Sequence, residues 1–255
     1  MNPLDLFFPR QVKCIFCGRE TKIFGICDEC YNLLPIITGS TCIKCGVRMV
    51  GKGKACVECK NRQTALDRNY AVLEYKDDIQ SKIIAFKQGG VKHIGETFAF
   101  LIYNKFKEID ENIDLIIPVP ISEERKKIRK YNQSEVLACE LLESGKVVTD
   151  ILLRPQDTPH QTGLGRKNRE TNLKGAFKVK DKLKIKNKNI LLLDDIYTTG
   201  STLNECAKTL KDAGANSVIG LVLARAVPRV DKILEGDNNT SEKSFSLAFD
   251  KYDII

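Results

Sequence analysis

The chain has 255 residues, of which 42% are hydrophobic and 29% charged, with a formal net charge of +8. That length and apolar content allow one large or two modest packed domains and exclude a chain disordered throughout. No apolar run approaches the roughly 18 residues of a membrane span, so insertion into a bilayer is not expected.

The charge excess is local: Ile121 to Ile190 carries 17 Lys/Arg against 9 Asp/Glu. Such a span suits a polyanionic partner, and it equally suits an ordinary solvated lysine-rich surface. At the start, MNPLDLFFPRQ has an acidic Asp5 and an apolar part too short for a secretory leader, which makes a cytoplasmic protein the expectation.

Eight of the ten cysteines fall before residue 60, as four C-x-x-C pairs: Cys14/Cys17, Cys27/Cys30, Cys42/Cys45 and Cys56/Cys59. Two residues between thiolates let one tight turn present both sulfurs to a single tetrahedral zinc, and two such turns complete a four-cysteine ribbon site. The segment repeats internally, CIFC…CDEC and then CIKC…CVEC, with Gly18 and Gly46 at equivalent places where the turn calls for positive φ. The repeat assigns Cys14, Cys17, Cys27 and Cys30 to one zinc and Cys42, Cys45, Cys56 and Cys59 to a second, although the spacing also permits a cross-braced arrangement. Four thiolates per metal leave no open position, so both zincs are expected to be structural. Cys139 and Cys206 lie in apolar helical patterns and read as core.

After Asn61 the chain changes character. Tyr70–Tyr75 reads as a strand, Asp78–Phe86 as a short helix leading to Lys87 and a Gly89-Gly90 turn, and Ile94–Phe106 as a helix. Asp114–Val119 reads as a buried strand, Asn132–Leu142 as an amphipathic helix and Lys188–Leu193 as a second buried strand. Thr202–Ala213 reads as a helix closed by Gly214, and Ser217–Ala224 as a third strand. Strands with continuous apolar character alternating with helices imply a parallel α/β sheet covered on both faces. The expected organisation is a double zinc ribbon over 1–62, an α/β domain over 63–230 and a polar tail over 231–255.

Ligands of such sheets bind at the carboxyl ends of the strands. There the stretch ILLLDDIYTTGST places Asp194 and Asp195, followed by Thr198, Thr199, Gly200, Ser201 and Thr202. Hydroxyls and backbone N–H groups entering a helix suit a phosphate, whereas the adjacent carboxylates need neutral donors or a cation. Two ribose hydroxyls with Mg²⁺ nearby meet that need, so the chemistry points to a ribose 5-phosphate. Between Leu153 and Phe177, Arg154, Arg166, Lys167 and Arg169 alternate with Gly163 and Gly165. That composition suits a lid over a diphosphate, or an ordinary basic loop.

Residues 190–202 resemble the phosphoribosyl-pyrophosphate (PRPP) signature of type I phosphoribosyltransferases. The resemblance implies a Rossmann-like parallel sheet, a 5-phosphate loop over Thr198–Thr202, acidic residues on the ribose and Mg²⁺. It also implies a pyrophosphate loop, placed here at Ile121-Ser122, and a flexible loop to which Arg154 and Arg169 belong. Nearly the whole chain is moreover similar to the ComF (ComFC) family, named for competence for DNA uptake. The matching features are the cysteine pairs, Lys87 with its glycine turn, Arg125, and Arg129-Lys130-Tyr131-Asn132-Gln133. Further matches are Arg154, Thr158, Gln161, Arg169, Asn172 and Gly175-Ala176-Phe177. Lys130 departs from the family's usual glycine.

The resemblance implies a protein that binds PRPP with Mg²⁺ and contacts single-stranded DNA and other competence proteins, by DNA-binding residues that the sequence does not single out. The alternatives are a nucleotide-salvage phosphoribosyltransferase and a non-catalytic PRPP sensor. Glutamine-dependent amidophosphoribosyl transfer is not expected: position 2 is Asn where an N-terminal nucleophilic cysteine would stand.

Overall fold

The computed structural model describes residues 12–21, 25–50, 53–88, 92–155 and 173–226. Its centre is a four-stranded parallel sheet of β3 (Arg68–Glu74), β4 (Leu115–Pro118), β7 (Asn189–Tyr197) and β8 (Ser217–Arg225), in the order β3-β8-β7-β4. Two short antiparallel pairs lie outside it. One is β1 (Val12–Lys13) with β2 (Glu20–Thr21), and the other is β5 (Leu152–Leu153) with β6 (Lys178–Val179).

The strands read as unbroken apolar runs because alternate residues enter two separate layers. Ile190, Leu192, Val218 and Val222 face one apolar layer; Leu191, Leu193, Ile219, Leu221 and Leu223 face the other. Two single-turn helices, α1 (Asp28–Asn32) and α2 (Val57–Lys60), lie in the cysteine segment, and the second layer is closed by α3 (Asp77–Lys87), α4 (Lys92–Lys107), α6 (Gln133–Leu137) and a 3₁₀ turn over Cys139–Ser144. The first is closed by α7 (Ser201–Asp212), through Leu203, Cys206, Ala207 and Leu210, and by Cys42, Cys45 and Cys59 of the second cysteine set.

The helix expected over 132–142 is instead two short pieces meeting at Ala138. Leu137, Ala138 and Leu141 all reach the core. Glu123–Arg129 forms a further helix, α5: Ser122 accepts from Arg125 N–H as its N-cap, and acidic Glu123 and Glu124 occupy its first turn. Its last residue is followed by Lys130 in the left-handed conformation (φ 68°), where glycine is favoured. Tyr75, the last residue of the first expected strand, lies just beyond β3. The Gly89-Gly90 turn and the 231–255 tail lie outside the described residues.

Candidate functional site

The second buried strand runs four residues further than its apolar run. β7 pairs with β8 as far as Tyr197 opposite Arg225, so Asp194 and Asp195 lie within the strand. On its other flank β4 stops with Pro118 opposite Leu193. From Asp194 onward β7 therefore has a neighbour on one side only. In parallel sheets of this kind the ligand crevice lies outside the carboxyl ends of the strands, the end at which Asp194 and Asp195 stand.

A bracket of residues holds those carboxylates. Lys87 Nζ, at the last position of α3, lies 3.2 Å from Asp195 Oδ2. Ser134 Oγ donates to Asp194 Oδ1 at 3.1 Å, and the same oxygen accepts Asp195 N–H at 2.9 Å. Tyr131 O–H donates to the Phe86 carbonyl beside Lys87. Asn132 Nδ2 donates to the Val119 carbonyl at 3.0 Å, while its Oδ1 caps α6 through Ser134 N–H. The Tyr131–Ser134 segment thus ties the end of α3, the end of β4 and Asp194 together. Burial, with the neighbouring Asp195 charge, pushes the Asp194 carboxyl up to about 7.

Thr198–Thr202 follows β7 directly. Gly200 has φ 77°, and a Cβ on it would stand 2.1 Å from the Tyr197 hydroxyl, so only glycine fits. The Thr199 and Ser201 hydroxyls are 2.8 Å apart and both residues are buried. Two arginines grip the loop's carbonyls. Arg225 Nη1 donates to Thr198 O at 3.2 Å, and Arg62 Nη1 donates to Thr199 O. In a trans peptide the carbonyl and the following N–H point in opposite directions, so these grips turn the Thr199 and Gly200 N–H groups away from the arginines.

Ile121 and Ser122 lie just past β4, at the same end of the sheet. Ser122 is buried, and its hydroxyl is spent on the α5 cap. Arg154 is not exposed: it is buried with its guanidinium 5.5 Å from the Phe177 ring centre, which places it at the base of the basic segment. Gly175 N–H donates to Glu205 of α7 at 2.7 Å, anchoring the far end. Thr158, Gln161, Arg166, Lys167, Arg169 and Asn172 lie outside the described residues.

The cysteines form two sets in chain order, Cys14/Cys17/Cys27/Cys30 and Cys42/Cys45/Cys56/Cys59, with the four sulfurs of each within 4.8 Å of one another. Cys17 and Cys27 sulfurs are 3.7 Å apart, and those of Cys45 and Cys56 are 3.8 Å apart. A tetrahedral zinc with Zn–S of about 2.3 Å needs S···S of about 3.8 Å, so both sets fit the ion. Gly18 and Gly46 have φ 74° and 72°, as the repeated turn requires. In the first set Arg19 donates to Cys17 Sγ at 3.4 Å and holds that thiol down at about 6, toward the thiolate a metal needs.

Residues 3–60 match the family model for a double zinc ribbon domain, and residues 134–249 match that for a phosphoribosyl transferase domain. Competence protein F of Haemophilus influenzae is 30% identical over 224 residues, spanning 84% of this chain and 97% of that protein. The chain belongs to the ComF family. Competence protein ComFC of Bacillus subtilis is 28% identical over 79% of this chain and 84% of its own length. The DNA utilization protein YhgH of Escherichia coli K12 is 26% identical over 84% of this chain and 97% of its own. In this ComF chain the parallel sheet is that of a phosphoribosyltransferase-like fold, joined to a double four-cysteine ribbon. Among the described residues no helix is long and apolar enough to cross a membrane.

Lys87 and the Tyr131–Gln133 segment were marked by the family resemblance alone, which said nothing of what they touch. Ser134, Arg62 and Arg225 carry no sequence signal as site residues, and Tyr197 lies inside the 190–202 signature without a role assigned to it. Each acts through a partner distant in the chain.

Proposed function

We propose that this chain binds PRPP with Mg²⁺ in the crevice at the carboxyl end of β7 and also contacts single-stranded DNA, serving natural competence and DNA uptake from the cytoplasm. The observation that carries the ligand is the end of β4 opposite Leu193, which leaves Asp194 and Asp195 beyond the last paired residue of that strand and beside a loop whose carbonyls are drawn back. Asp194 and Asp195 hold the ribose hydroxyls, and Thr198–Thr202 wraps the 5-phosphate. Ile121 and Ser122 border the pyrophosphate through backbone groups, and Arg154 and Arg169 serve the segment that closes over it. Mg²⁺ would offset the charge of the pyrophosphate. The DNA role is supported by the names of the competence and DNA-utilization relatives and by the basic span over 121–190.

Calorimetry with Mg-PRPP tests the pocket. Wild type binds, while Asp194→Ala and Asp195→Ala lose binding with the fold retained; unchanged affinity in both variants overturns the assignment. Oligonucleotide binding at about 50 and 200 mM salt tests the second part, and no binding at the lower salt removes it. A screen of PRPP turnover against nucleobases, amines and DNA separates this function from its rivals. Pyrophosphate release with one particular base marks a salvage enzyme, and binding without turnover under any acceptor marks a sensor.

A further inference from the structure

The second cysteine set does more than brace its own ribbon. Lys44, between Cys42 and Cys45, donates through Nζ to the Cys59 carbonyl at 3.1 Å and to the Arg62 carbonyl. Its own carbonyl accepts the Tyr197 hydroxyl at 3.3 Å. Arg62 Nη1 donates to that same hydroxyl at 3.4 Å and to Thr199 O. Glu58, between Cys56 and Cys59, lies 3.9 Å from Arg225 Nη2, and Arg225 grips Thr198 O. Asn204, in the first turns of α7, accepts from Thr64 Oγ1 at 3.0 Å and Ala65 N–H at 2.7 Å. Both cysteine turns therefore reach the 198–202 loop within one or two side chains.

We infer that Arg62, Lys44 and Tyr197 are positioning residues through which the second cysteine set fixes the ligand loop, so that the loop's shape depends on the integrity of that set. The inference deepens the phosphate-site function proposed above and rests on it for its ligand. Two physical points support it. A Cβ on Gly200 would clash with the Tyr197 hydroxyl, so the hydroxyl packs directly against the loop backbone. Arg62 and Arg225 fix the Thr199 and Thr198 carbonyls, and with them the direction of the next N–H groups. The first set supplies an internal contrast, because its neighbours Ile15, Phe16 and Tyr31 pack on the layer across the sheet.

The test uses full-length, zinc-loaded protein, with hydrogen exchange at amides 198–202 read without ligand and calorimetry with Mg-PRPP and inorganic phosphate as probes. Arg62→Met and Tyr197→Phe are expected to keep two zincs, to speed exchange at 198–202 and to weaken Mg-PRPP about tenfold, the loss of one hydrogen bond to a placed group. Cys56→Ser should act in the same direction. Arg19→Met, at the first set, should leave both readouts as in wild type. Unchanged exchange at 198–202 in Arg62→Met and Tyr197→Phe, or an equal effect from Arg19→Met, overturns the inference. If no phosphate compound binds wild type, the proposed function fails while the exchange comparison still decides the positioning role.

Discussion

The Lys87 ammonium lies 3.2 Å from an Asp195 carboxylate oxygen, and both side chains are about nine-tenths buried. Removing one partner of such a pair leaves an uncompensated buried charge, here next to a second carboxylate. Lys87→Met should lower stability by about 3 kcal/mol in urea unfolding at pH 7. The double variant Lys87→Met/Asp195→Asn should recover most of that loss, and a double variant no more stable than the single one would show that Lys87 acts by packing alone.

Asp194 gives stability a pH dependence whose sign follows from its raised pKa. A carboxyl titrating at about 7 when folded and near 3.9 when unfolded takes up a proton on folding between those values. Its contribution is therefore fully present below about pH 4 and is lost as pH rises through 7. Asp194→Asn keeps an acceptor for Ser134 Oγ and Asp195 N–H but removes the titration. Its urea midpoint should exceed that of wild type at pH 8, with the gap closing toward pH 4.

Lys130 occupies a left-handed position at the end of α5, where glycine carries no steric penalty. A side chain there costs about 1 kcal/mol, so Lys130→Gly should stabilise by up to that amount. The midpoint of thermal unfolding should rise by about 2–3 °C. A fall would mean that the lysine side chain makes a contact worth more than the backbone strain.

Two zincs per chain are expected on metal analysis, one for each four-sulfur set. The sets differ in access: Cys42, Cys45 and Cys59 are at most 2% exposed, whereas Cys17 is exposed and Cys27 and Cys30 are partly so. Release to a thiol-reactive mercurial, followed with a colorimetric zinc indicator, should show two phases of equal amplitude, the faster lost in Cys17→Ser. A single phase would mean that the sets open together.

Some of this molecule is local chemistry and was legible along the chain. The cysteine turns depend on spacing and on a glycine after the first C-x-x-C of each half, and the structure shows both glycines at positive φ. β3, β4, β7, β8 and α7 stand out because strands buried on both faces and an amphipathic helix leave strong periodic patterns. Over 132–142 the apolar spacing is helical throughout, yet the chain passes from α-helix to 3₁₀ at Ala138, a change that leaves no mark in the periodicity.

The sequence by itself determined the two four-cysteine motifs, the alternation of strand and helix, and the acidic pair followed by a hydroxylated loop, since each depends on residues close together in the chain. Tertiary structure alone decided that the cysteines group in chain order and that Lys87 and Ser134 meet the two carboxylates. It also decided that Arg62 and Tyr197 join the second ribbon to the loop. Those contacts span up to 153 positions of sequence, and the distance between their partners is set only when β4 and β8 flank β7 and the second cysteine set packs against the sheet.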